Sequence, residues 1–203
     1  MYGDDDNNGF SQDLNMYHAG LSANMKFTDK IKGSLGSNVY IYNKEEKLAT
    51  DPSGEVDNGG LKAGNSLEHE AMSIYEVAGR VDIDTDLLPV FVYGQYAVNA
   101  SADSGEDTAW LGGFGGKYGP FKMTYNYRDT QRYAVANTFN DADFAAGNLA
   151  ARGHTVKLSY KISKNFATGI AYMAAREYGL GPNGDDDNGR NTDTFQWDLK
   201  AKF

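Results

Sequence analysis

Residues 192–203 read TDTFQWDLKAKF. Phe195, Trp197, Leu199, Ala201 and Phe203 fall on one parity, and Gln196, Asp198, Lys200 and Lys202 on the other. Period two sends successive side chains to opposite sides of an extended chain, so this stretch is a strand with one apolar and one polar face. The pattern recurs upstream. Within residues 154–162, Val156, Leu158, Tyr160 and Ile162 oppose Thr155, Lys157, Ser159 and Lys161. Within 121–128, Phe121, Met123, Tyr125 and Tyr127 oppose Lys122, Thr124, Asn126 and Arg128. Within 73–84, Tyr75, Val77, Val81 and Ile83 oppose Glu76, Arg80, Asp82 and Asp84, and within 19–27, Leu21, Met25 and Phe27 oppose Ser22, Asn24 and Lys26. Residues 31–43, 88–99, 108–116 and 166–175 also read as strands, with parity blurred by glycine. The total is about nine strands.

Composition agrees with an all-β chain. Of 203 residues, 24 are Gly and only 4 Pro, the usage expected of many short strands joined by Gly/Asn/Asp turns. There is no Cys, which excludes a disulfide framework and a thiolate metal site. The formal charge of −9 leaves no basic patch for phosphate backbones, so no nucleic-acid partner is expected. Mean hydropathy is −0.58, and the longest apolar run, LLPVFVYGQYAV at 87–98, is too short for a membrane-spanning helix. A membrane barrel is compatible with that value, because its strands alternate lipid-facing and lumen-facing residues.

The connections carry a second pattern. Residues 28–30, 85–87, 117–120 and 163–165 are short, whereas 2–13, 45–71, 100–107, 136–152 and 179–193 are longer and polar. Short and long alternate along the chain. Outer-membrane barrels sort their connections this way, with tight periplasmic turns and longer external loops. The expected fold is a transmembrane antiparallel up-and-down β-barrel, with residues 1–203 as a single barrel domain. With Phe203 in the periplasm, residues 2–13 are external. An odd strand number that begins outside leads to the expectation of an N-terminally incomplete part of a larger barrel. The opening MYGDDDNNGF has neither the basic start nor the apolar core of a signal peptide.

Several short motifs in the second half resemble one family. They are Trp110-Leu111-Gly112-Gly113, Tyr125-Asn126-Tyr127-Arg128, Asp141-Ala142-Asp143-Phe144, Arg152-Gly153-His154 and the terminal strand ending in Phe203. From about Trp110 onward the chain resembles the putative porins. The resemblance implies a Gram-negative outer-membrane barrel made with a signal peptide, having more strands than are seen here. It implies passive diffusion of ions and small hydrophilic solutes, no catalysis and no cofactor, and it allows a homo-oligomer. The aromatic-ended last strand looks like the signal read by the outer-membrane assembly machinery. Outer-membrane lipid and lipopolysaccharide are the other expected partners.

On the barrel reading the polar parity lines the pore. Its candidates are Lys26, Lys32, Glu76, Arg80, Asp82, Lys122, Asn126, Arg128, Lys157, Lys161, Gln196, Asp198 and Lys200. That set is net basic, while most acids fall in the long loops. The expectation is an acidic mouth and a mildly basic wall, and basic rings favour anions. The other reading of the polar parity is the solvated face of a β-sandwich. Tyr17, Phe27, Tyr118, Phe121, Tyr160, Phe166, Trp197 and Phe203 are candidates for interfacial girdles, where an amphipathic ring bridges lipid and headgroups. Ordinary strand propensity would also place aromatics there.

Other motifs have plainer readings. Asp4, Asp6, Asn8 and Gly9 match the start of a calcium loop, but Asn15 stands at the twelfth position instead of Glu and no helices flank it, so the favoured reading is a flexible acidic turn. The sharper reading is weak divalent binding that bridges lipopolysaccharide phosphates. Glu68-His69-Glu70 lies in a polar loop. Gly112-Gly113-Phe114-Gly115-Gly116 is Gly-rich within a strand, as a crowded barrel wall requires, and no phosphate loop follows. Two alternatives stay open: a barrel enzyme using His18, His154, Asp143 and Ser11 at one rim, and a soluble β-sandwich binding module.

Overall fold

The computed structural model describes residues 14–44, 72–102, 106–135, 143–177 and 190–202. They form nine strands: β1 Leu14–Lys26, β2 Ile31–Lys44, β3 Met72–Ile83, β4 Val90–Asn99, β5 Thr108–Tyr118, β6 Phe121–Thr130, β7 Ala151–Lys161, β8 Phe166–Glu177 and β9 Asn191–Ala201. Every strand pairs antiparallel with the next, giving one up-and-down sheet in the order β1 to β9. The described residues therefore make one sheet, where a sandwich needs two. The sheet is open, with β1 and β9 as its edges. The Asp4, Asp6, Asn8 loop, Glu68-His69-Glu70, Ser11 and Phe203 lie outside the described residues.

The short turns share a chemical device. Thr28 Oγ1 accepts the backbone N–H groups of Lys30 (3.2 Å) and Ile31 (3.0 Å). Thr85 Oγ1 accepts the N–H of Leu88 at 2.9 Å, and Ser163 Oγ accepts those of Asn165 and Phe166 at 3.2 Å. A hydroxyl folded onto the backbone two or three residues ahead stabilises a tight reversal. The fourth turn is the two-residue link Gly119-Pro120, and Gly119 takes the positive φ (53°) that such hairpins demand.

The register keeps parity coherent across all nine strands. Leu21 meets Ser37, Ser37 meets Val77, Val77 meets Tyr96 and Tyr96 meets Trp110. Farther along, Phe121 meets Tyr160, and Tyr172 meets Phe195. A one-residue slip anywhere would invert every later side chain. One face is thus apolar from edge to edge. Among the described residues it has no cover: Leu21 is 84% exposed and Phe195 and Trp197 are each 68% exposed. On β3 it runs from Tyr75 to Ile83 and on β4 from Val90 to Val98. Each run is about nine residues long, the length a tilted strand needs to cross a hydrocarbon core. Asp129, Arg152, Arg176 and Asp193 bound this belt toward the long connections.

The opposite, polar face is concave. Met16 of β1 and Arg128 of β6 line the same cavity of about 470 Å³, together with side chains of every strand between. Six strands laid flat would span roughly 24 Å at about 4.8 Å spacing, so the sheet curls toward this side. Its buried core lies here too. Tyr42, Met72, Ile74 and Ala97 form one cluster, and Phe144, Ala145, Ala151, Met173 and Ala175 another.

Candidate functional site

The concave face is the candidate site. Every predicted pore-lining residue lies on it: Lys26 on β1, Lys32 on β2, Glu76, Arg80 and Asp82 on β3, Lys122, Asn126 and Arg128 on β6, Lys157 and Lys161 on β7, and Gln196, Asp198 and Lys200 on β9. Lys117 and Glu177 share it as well. Lys117 does so because β5 continues to Tyr118, through residues that read as a turn in the sequence. Glu177 does so because β8 runs two residues past Ala175. The Glu177 side chain is almost wholly buried, and its Oε1 accepts from Arg190 Nη2 (2.9 Å) and Nε (3.2 Å), which ties the ends of β8 and β9 together.

Glycine shapes this wall. A Cβ on Gly115 would stand 2.5 Å from Phe91 Cζ, and one on Gly113 would stand 2.7 Å from Tyr93 Cζ. The rings of β4 therefore lie down across β5, which is why β5 cannot carry side chains at these two positions. Tyr93 reaches over Gly113 far enough for its hydroxyl to accept from Asn126 Nδ2 of β6 at 3.2 Å. Phe91, 6% exposed, is a platform over Gly115 for the guanidinium of Arg80, 3.7 Å from the ring centroid. Arg80 also donates to both Asp82 oxygens, from Nε at 2.8 Å and Nη2 at 2.6 Å. Stacked and forked at once, this cation is fixed in position. Toward the other end of the wall, His18 stacks on Tyr40 (4.6 Å) and pairs with Asn38 Oδ1 at 3.1 Å, while Asn38 Nδ2 donates to Glu76 at 3.0 Å.

The connection between β6 and β7 is one of the long connections expected to be external. Its described parts turn inward onto the concave face. Tyr133 O accepts from Asn99 Nδ2 at 2.8 Å, Ala134 is fully buried, and Val135 packs on the Tyr42–Ile74 cluster. Beyond it, Phe144 and the 3-10 turn Ala145–Gly147 pack on Met173 and Ala175 of β8. Asp143 accepts from Gln196 Nε2 of β9 at 2.9 Å, and the Arg128 guanidinium stands 3.6 Å from the Phe144 ring centroid. Ala145, Ala146 and Ala150 take left-handed backbone (φ 50°, 53° and 52°), a strain that persists only where packing holds the chain in place. The loop thus occupies part of the concavity from two sides.

The predicted aromatics divide by position. Phe27, Tyr118, Phe121, Tyr160 and Phe166 gather at the short-turn end, where the Phe121 and Tyr160 rings lie 4.8 Å apart. Tyr17 stands toward the long-loop end of β1. Trp197 lies within the belt instead of at its rim, opposite Ile170, with its Nε1 donating to Thr168 Oγ1 at 2.9 Å. Trp110 and Tyr127, with tilted rings 5.3 Å apart near the long-loop end, occupy the same kind of position and are absent from the sequence-based set. Their signal was present, since each falls on the apolar parity close to a long connection.

Among the described residues, the groups named for a barrel enzyme do not converge. His18 lies on the concave face, whereas His154 lies on the apolar face, where its Nδ1 pairs with the Tyr125 hydroxyl at 2.8 Å. Asp143 is engaged by Gln196. Among the described residues no group of three or more metal-ligating side chains occurs. What this wall can do chemically is present fixed charge and hydrogen-bonding groups to a solvated space.

A family model described as "Putative porin" matches residues 88–203, more than half of the chain and all of β4 to β9. No curated protein matches it.

Proposed function

The chain belongs to the putative porin family, and from that premise we propose that it forms a water-filled channel in the outer membrane of a Gram-negative bacterium, for passive diffusion of ions and small hydrophilic solutes. One observation carries the reading. An apolar face that has no cover among the described residues runs across nine strands, and its opposite is a concave wall bearing most of the strand charge. In water such an apolar surface would be an association hazard far beyond the patch a soluble monomer shows. In a bilayer it is the lipid-facing band, and the concave wall encloses the lumen. Outer-membrane lipid and lipopolysaccharide then surround the band, with no catalytic step and no cofactor in the function.

Orientation follows from the connections. The short turns face the periplasm, with their aromatics at the inner interface, and the long loops face outward. The inward connection between β6 and β7 narrows the lumen from its outer half. The basic excess of the wall favours anions. A lipid-exposed sheet edge is not tolerated in hydrocarbon, so β1 and β9 must be paired. These two strands run in the same direction, and direct closure would be a parallel pair in an otherwise antiparallel sheet. We therefore assign closure to additional strands, with association of copies as a second route. The last strand, through Phe203, is the part offered to the assembly machinery.

The test is swelling of liposomes containing the detergent-refolded chain. Small sugars should enter at rates falling with solute size, while large dextrans should not. Vesicles that contain folded protein with both sheet edges paired, yet stay impermeable to every solute, would refute the channel.

A further inference from the structure

The short-turn end of the concave wall concentrates positive charge in one place. Lys30, Lys32, Arg80, Lys117 and Lys122 surround a recess of about 460 Å³, with Asp82 and Asp84 as its carboxylates. Five cations face two anions there, and both Asp82 oxygens are already taken by Arg80. Lys30 is likewise engaged by Asp86 at 2.9 Å. That leaves the ammonium groups of Lys32, Lys117 and Lys122, contributed by three different strands.

The register makes the arrangement costly. Lys117 stands directly opposite Lys122 across the β5–β6 hairpin. Like charges at facing positions destabilise a sheet. The equivalent clash of Lys26 with Lys32 is relieved by Asp29, 2.6 Å from the Lys26 ammonium. Among the described residues Lys117 and Lys122 have no carboxylate within ion-pair distance. The Phe91 ring, 5.7 Å from the Lys122 ammonium, is already stacked by Arg80. A bound anion would relieve this repulsion.

We propose that this recess is a binding site for small, multiply charged oxyanions of the phosphate class at the periplasmic end of the channel. Three ammonium groups approaching from separate strands suit a compact anion with several acceptor oxygens better than a planar carboxylate, whose natural partner is a guanidinium fork. Arg80, with its fork closed on Asp82, sets the local field and leaves the contact to the lysines. The two recess carboxylates keep affinity low, which is what a conducting site needs, since an ion held tightly does not leave. The proposal rests on the reading of the concave wall as a solvated lumen.

The experiment is calorimetric titration of the full refolded chain in detergent with inorganic phosphate and then pyrophosphate, at low and high NaCl, alongside chloride conductance with and without phosphate. Saturable binding in the millimolar range is expected, tighter for pyrophosphate and several-fold weaker at high salt. Replacing Lys117→Gln and Lys122→Gln together should weaken binding at least tenfold. The control pair Lys157→Gln and Lys200→Gln, basic residues of the same face outside the recess, should change it less than twofold. Absence of saturable binding, or equal loss in both pairs, would overturn the site in favour of diffuse charge. Failure of the channel reading is distinguishable: binding without any chloride conductance would keep the recess and reject the channel. Conductance without binding would do the reverse.

Discussion

Replacing Val92 with arginine tests which face meets lipid. Val92 projects from the apolar face of β4 between Val81 and Phe114 and is 51% exposed in the protein alone. It lies two residues from Gly94, the centre of the run Val90 to Val98. Two residues are about 6.7 Å along a strand and, after tilting, roughly 5 Å from the bilayer midplane. An arginine costs about 2–4 kcal/mol at the midplane and about 0–1 at the interface, so Val92→Arg should cost about 2–3 kcal/mol. Gln95 supplies the control, because it sits one residue from Gly94 on the concave face, between Ala78 and Leu111. There an arginine stays in water and should change stability by no more than about 0.5 kcal/mol. Urea unfolding of both variants refolded into vesicles, followed by tryptophan emission, measures the difference. Equal destabilisation, or a larger loss from Gln95→Arg, would refute the assignment of faces.

Two other predictions concern the wall and the loop. Gly115→Ala should cost about 1–3 kcal/mol, because its Cβ meets Phe91 and the backbone of β6, while Gly112→Ala, whose Cβ enters open space on the apolar side, should be close to neutral; thermal melts of the two variants compare them directly. Phe144→Ala removes the ring that Arg128 covers and that packs on Met173 and Ala175. It should cost about 3 kcal/mol and raise single-channel conductance as the loop loses its hold on the wall. A stable variant with unchanged conductance would show that the loop does not narrow the lumen.

The architecture was legible wherever side chains announce a face. TDTFQWDLKAKF reads as a strand by itself, and the charged parity of β3, β6, β7 and β9 lies on one wall as alternation implies. The alternation of short and long connections likewise anticipated a meander of neighbouring strands. Legibility failed where the signal belongs to a neighbour. Gly113 and Gly115 carry no face of their own, and their reason is the pair of rings that β4 lays across them. Lys117 was read into a turn because Gly119-Pro120 dominates its surroundings, though the strand continues to Tyr118. The inward course of the β6–β7 connection was marked only by composition: Phe144, Leu149 and a scatter of alanines are more apolar than an external loop requires. That His18 and His154 face opposite ways follows from parity, but only once the register is known.

A water-filled lumen with a basic wall should conduct ions and prefer anions. Planar-bilayer recording of the refolded chain under a salt gradient tests it most directly. Stepwise openings with a reversal potential on the anion-selective side are predicted, and the potential should shift toward neutrality when Lys122 and Lys157 are replaced by glutamine. A silent bilayer containing folded protein with both sheet edges paired would contradict the channel, and clear cation preference would contradict the basic wall.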